Sequence, residues 1–128
     1  MAINYDVPLN SKGQNKNIKG HVLPKKQMEE LGFWYNDLVH AWIFNRKIVD
    51  DISFHVRLDE KTIEIMILDD AFCQHYDYQR ALKDVDPVRS RHLPWFHYAM
   101  NVHNAVQGYM AKFVEAGVIS GYKANDYI

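Results

Sequence analysis

The chain has 128 residues and a formal net charge of −1, with 48% hydrophobic and 24% charged residues. These values fit one globular domain, exclude a disordered chain and tell against bulk electrostatic binding to nucleic acid or anionic membrane. The single cysteine excludes an internal disulfide framework and a Cys-rich zinc site.

No run approaches the ~18–20 apolar residues of a membrane span, and the start of the chain lacks the apolar stretch of a signal peptide, so a cytoplasmic location is expected. Three Trp, eight Tyr and six Phe make 13% aromatic residues. Such side chains dominate cores and interfaces alike. Residues 1–20 are polar, with Lys12, Lys16 and Lys19, and no acid stands between Asp6 and Glu29. They read as a basic, flexible arm ahead of a single α+β domain over 21–128.

Pro24 to Leu31 reads as a short helix, with proline in the first turn and Gly32 beyond its end. Phe33 to Tyr35 suits either a strand, with Asn36-Asp37 as its turn, or a helix over 33–40. Ala41 to Ile48 places Trp42, Phe44 and Ile48 on one parity, interrupted by Arg46. Ile52 to Leu58 alternates cleanly: Ile52, Phe54, Val56 and Leu58 against Ser53, His55 and Arg57. Asp59-Glu60-Lys61 turns the chain into Thr62 to Leu68, where Ile63, Ile65 and Ile67 share a face. The expectation is an antiparallel sheet of three to four strands over about 33–68.

Asp69 and Asp70 stand where either caps a helix over 71–83. Residues 84–93 form a charged, proline-containing connection. Pro94 to Ala116 carries the strongest pattern. Trp95, Ala99, Val102, Val106, Tyr109, Phe113 and Ala116 form one apolar stripe, opposite His97, Asn101, Asn104, Gly108, Lys112 and Glu115. Phe96, Met100, Met110 and Val114 widen the apolar side beyond what one sheet face covers. That excess fits burial on two sides, by the sheet and by either another helix or a second subunit, the latter giving a homodimer through this helix. Gly117 is the expected C-cap.

Walker A, GxGxxG, HExxH and Gly-x-Ser-x-Gly patterns are absent. Glu64, Asp69 and Asp70 at a strand end are the candidate metal ligands for a hydrolase or nuclease, although capping explains the two aspartates more simply. Cys73 and His75, with His92, His97 and His103, contain zinc-ligand chemistry but not zinc-ligand spacing. A Cys73–His75 nucleophile pair lacks an evident orienting acid other than Asp70 or Asp77. Arg57, Arg80, Lys83, Arg89 and Arg91 with Tyr76, Tyr78 and Trp95 mix basic and aromatic groups as single-strand binders do, diluted by Asp77, Asp84 and Asp86. No cofactor is expected.

The stretch IMILDDAFCQHYDYQ, Ile65 to Gln79, resembles a pattern in small uncharacterised proteins of lactobacilli, related Firmicutes and their phages. ISFHV at Ile52 to Val56 and AGVISGYKANDYI at Ala116 to Ile128 are similar too. The resemblance covers about residues 30–128. Cys73 and His75 depart from it, which tells against a metal or nucleophile role. It implies no activity, only the setting of an accessory gene on phage or mobile DNA. Such proteins commonly bind a host or defence protein, and an anti-CRISPR role is one concrete form. The resulting expectation is a non-enzymatic binding protein using Trp34, Tyr35, Tyr76, Tyr78, Arg89 and Arg91. The alternatives are a nucleic-acid binder using Lys12, Lys16, Lys19, Lys25 and Lys26, and the metal-dependent hydrolase.

Overall fold

The computed structural model describes residues 18–76, 82 and 92–122. In chain order the elements are β1 (Lys19–Gly20), α1 (Lys25–Glu30), β2 (Trp34–Asn36), β3 (Ala41–Val49), β4 (Ile52–Leu58), β5 (Ile63–Asp69), β6 (Gln74–His75), α2 (Pro94–Ala116) and β7 (Ile119–Ser120). The architecture is α+β. Strands β2 to β6 form one antiparallel sheet in sequential order, and β1 pairs with β7 in a separate two-stranded ribbon.

The hairpins follow from local chemistry. Oδ1 of Asn36 accepts the Leu38 amide at 2.9 Å, an Asx turn that reverses the chain between β2 and β3. The two-residue turn Asp50-Asp51 joins β3 to β4, with Asp50 at φ 48°, a left-handed position that aspartate tolerates. Residues 33–40 are therefore strand and turn, not helix.

The core lies on one face of the sheet. Phe44, Phe54, Val56, Leu58, Ile65 and Ile67 project from it, and α2 covers them with Ala99, Val102, Val106 and Phe113. The Phe113 ring meets Phe44 edge to face at 4.9 Å and Phe33 at 5.2 Å, and Tyr109 stacks on Phe54 at 5.5 Å. Arg46, the charge that interrupts the apolar parity of β3, lays its guanidinium 4.5 Å from the Phe44 ring centroid. Gly32 makes room for it, since a Cβ there would sit 2.6 Å from the Arg46 Nη2.

Three expectations change. First, the sheet has five strands rather than three or four. No helix begins at Ala71: Asp69 Oδ1 accepts the Ala71 amide at 3.1 Å, the Asp70 side chain is taken by Ser53, and Cys73 is left-handed at φ 51°. Both candidate caps are thus spent on a turn, and Gln74–His75 folds back on Leu68 and Asp69. Of the remaining expected helix, only Tyr76 and Leu82 lie within the described residues.

Second, of the expected α2 stripe Ala99, Val102, Val106 and Phe113 are buried, but its two ends are not. Phe96, Met100, His103 and Met110 are buried, whereas Trp95 is 42% exposed and Ala116 is exposed. Beyond the left-handed Gly117 cap the chain turns back, burying Val118, Ile119 and Tyr122, and the Tyr122 hydroxyl donates to Gln107 of α2. Of the apolar excess, Phe96, Met100 and Met110 are buried within the chain, while Val114 is 40% exposed. Third, the end of the expected arm belongs to the domain. Ile18 is buried, and Lys19–Gly20 pairs with Ile119–Ser120. The rest of the arm, residues 1–17, lies outside the described residues.

Candidate functional site

Side chains alternate across β2, so Trp34 and Tyr35 face opposite sides of the sheet. Trp34 lies on the outward face, in a cross-strand row with Ile43, Arg57 and Glu64. Tyr35 lies on the core side, opposite Trp42, and the two rings meet edge to face at 5.4 Å and 69°. The turn between them and β3 carries Leu38, 91% exposed, and Val39, also exposed. The exposed apolar residues at this margin of the sheet are thus Trp34 (49% exposed), Leu38, Val39, Tyr35 and Val22.

On the core side this edge opens into a cleft of about 400 Å³. It is lined by Tyr35 and Trp42, Val22 from the segment after β1 and His40 from the hairpin turn. Asp59, Glu60 and Lys61 of the β4–β5 turn complete the lining. The antiparallel order brings these two turns to the same end of the sheet, because Trp42 pairs with Leu58.

The other expected binding residues do not join this surface. Tyr76 follows β6 at the far edge, roughly 19 Å away across four inter-strand spacings. It is half-buried, with its ring 6.0 Å from Tyr98 of α2. Burial, helped by the Asp69 charge, raises its phenol above the usual range. Tyr78, Arg89 and Arg91 lie outside the described residues. So do Arg80 and Lys83, Lys12 and Lys16. Lys19, Lys25 and Lys26 are exposed, on β1 and the first turn of α1.

The three acids of the hydrolase reading do not converge. Glu64 and Asp69 lie five strand residues apart, roughly 16 Å. Their neighbours are different: Arg57 stands opposite Glu64, the Ala71 amide binds Asp69, and Ser53 binds Asp70. Among the described residues no group of three or more His, Cys, Asp or Glu is placed to hold a metal ion. Cys73 Sγ is 3.8 Å from the Asp70 carbonyl oxygen, and no bond links it to His75. His97 is exposed and His103 buried, facing different ways from α2.

One polar chain was not singled out by the sequence pattern. Ser53 Oγ donates to Asp70 Oδ2 at 2.7 Å, His55 Nε2 lies 2.8 Å from Ser53 Oγ, and His55 Nδ1 lies 2.7 Å from Asn45 Oδ1. The arrangement resembles a nucleophile–base–orienter set, yet Ser53 is 6% exposed and its proton goes to Asp70. The Ser53 proton is committed to Asp70, and the donor between His55 Nε2 and Ser53 Oγ is set by the imidazole tautomer, so the set does not place a base on a free Ser53 hydroxyl. The only available signal was the Ser-x-His spacing on β4, which puts both residues on one face of the strand.

Burial pushes the His55 imidazole below its ordinary pKa, and the Asp70 charge pulls it partly back. The folded chain thus resists protonation of a ring that titrates normally once unfolded. His55 should leave stability unaffected above about pH 7 and lower it as pH falls towards 5. Thermal midpoints of the wild type and His55→Gln across this range test the point. The wild type should show the steeper acid-side loss, and parallel curves would refute the assignment.

At the same end of the sheet Tyr98 donates to Asp50 at 3.1 Å, tying α2 to the β3–β4 turn. Burial and that bond push its phenol up to about 12. Among the described residues no helix is long and apolar enough to cross a membrane. No family model, curated protein or solved structure matches the chain.

Proposed function

We propose that the chain is a non-enzymatic binding protein that captures a partner protein through the β2–β3 hairpin. The carrying observation is the apolar edge: Trp34 and Leu38 exposed together with Val39 and Tyr35 on one hairpin at the margin of a sheet. Contiguous apolar surface facing water is costly to keep and marks a contact site. Aromatic anchors carry a large share of the energy at protein interfaces. The outer edge of β2 adds backbone groups with no strand beyond them among the described residues. The resemblance to phage-borne accessory proteins favours a host protein or complex as the partner, with inhibition of a defence complex such as CRISPR as a concrete form.

The test is capture from host lysate by the immobilised chain. The wild type should retain a defined protein at fixed stoichiometry. Trp34→Ala combined with Leu38→Ser should keep the wild-type circular dichroism and lose capture by about 30-fold or more. Equal capture by that variant would sink the hairpin assignment. Retention of a salt-labile oligonucleotide instead of a protein would replace this reading with nucleic-acid binding.

A further inference from the structure

The cleft beside β2 has features that a purely apolar docking groove does not need. Its lining joins the edge-to-face pair Tyr35 and Trp42 to the acidic residues Asp59 and Glu60 of the β4–β5 turn. The bonds that shape the β4–β5 turn, from the Lys61 amide, the Thr62 amide and the Thr62 hydroxyl, all land on Oδ1 of Asp59. Oδ2 takes none of them. These donors, the Lys61 amide first, hold the Asp59 carboxyl below its ordinary range. The lining residues carry two carboxylates, Asp59 and Glu60, against the one ammonium of Lys61, together with the His40 imidazole, and the Arg57 charge also acts on Asp59.

Aromatic rings attract cations through their quadrupole, and carboxylates add direct attraction. An apolar or anionic occupant would instead desolvate the two carboxylates without compensation. We infer that the cleft is the receptor for one lysine side chain of the partner protein, its ammonium held between the Tyr35–Trp42 pair and the Asp59–Glu60 turn. The inference rests on the protein-binding reading above, and the two surfaces are continuous because Tyr35 belongs to both. The volume of about 400 Å³ accommodates a four-carbon stem with its ammonium.

The probe is n-butylammonium chloride, which reproduces the end of a lysine side chain. It is titrated into the full chain while the Trp42 indole and the amides of residues 59–62 are followed by NMR. Saturable shifts are expected there, with affinity about tenfold weaker in Glu60→Gln and in Tyr35→Leu. Glu60 is exposed on a turn, so its variant leaves the fold intact. An equal response to n-butanol, a non-saturating response like that to sodium chloride, or unchanged affinity in Glu60→Gln would each overturn the inference. The Trp34→Ala, Leu38→Ser variant should bind butylammonium as the wild type does. Loss of hairpin capture and failure of the cleft are therefore separate results.

Discussion

Replacing Phe113 with alanine is expected to destabilise the fold by about 3–5 kcal/mol, the range for removing a fully buried aromatic ring. Phe113 is fully buried in α2, and its ring touches both Phe33, which follows α1, and Phe44 of β3. It is the point where helix, sheet and the α1 segment meet. Truncation leaves a cavity lined by the Phe33 and Phe44 rings, whose other partners hold them in place so that they close it only in part. Urea unfolding should show a lower midpoint with an unchanged slope. Phe113→Leu should lose less, and Phe72→Ser, at a residue 72% exposed, should stay within about 0.5 kcal/mol of wild type. A loss below about 1 kcal/mol for Phe113→Ala would mean that α2 does not pack on β3 as described.

Gly20→Val is expected to cost about 1–3 kcal/mol by overpacking. A Cβ at residue 20 would stand 2.2 Å from Leu58 Cδ1 and 2.9 Å from Ile63 Cβ. Leu58 is fully buried and has little room to swing aside, and the Ile63 atom is fixed to its backbone. Relief comes from lifting β1 away from the sheet, which breaks its pairing with β7 and the His21 amide bond to the Val118 carbonyl at 2.8 Å. Amide exchange should show His21 losing protection while the β4–β5 ladder keeps it. Wild-type protection at His21 together with a wild-type urea midpoint would refute the close approach.

Most elements were legible because their signals are local. The 4-3 spacing of apolar residues, Pro94 in front and Gly117 behind delimited α2. Strict alternation delimited β4 at Ile52–Leu58. Within the broad apolar side of α2 the spacing placed Ala99, Val102, Val106 and Phe113 inward, but not the balance between Phe96, Met100 and Met110, which are buried, and Trp95 and Val114, which are exposed. Only the direction of the sheet decides which set faces inward.

What was not legible depends on contacts distant in sequence. Asp69 and Asp70 are good helix caps by residue type. They become turn-forming because Ser53, 17 residues earlier, binds the Asp70 carboxylate and Asp51 binds its amide. The joining of Lys19–Gly20 to Ile119–Ser120 spans nearly the whole described chain and has no local signature. Trp34 and Tyr35 were both recognisable as surface aromatics, but strand alternation sends them to opposite faces, and Tyr76 sits on the far edge.

By itself, then, the sequence determined the α+β class, the long helix with both its ends and the central strands, because periodicity and capping are properties of neighbouring residues. Tertiary structure alone decided the fifth strand, the closing ribbon and the cleft. Each of these is made by pairing segments whose register is set by burial and by hydrogen bonds across the fold, and not by the residues adjacent to them in the chain.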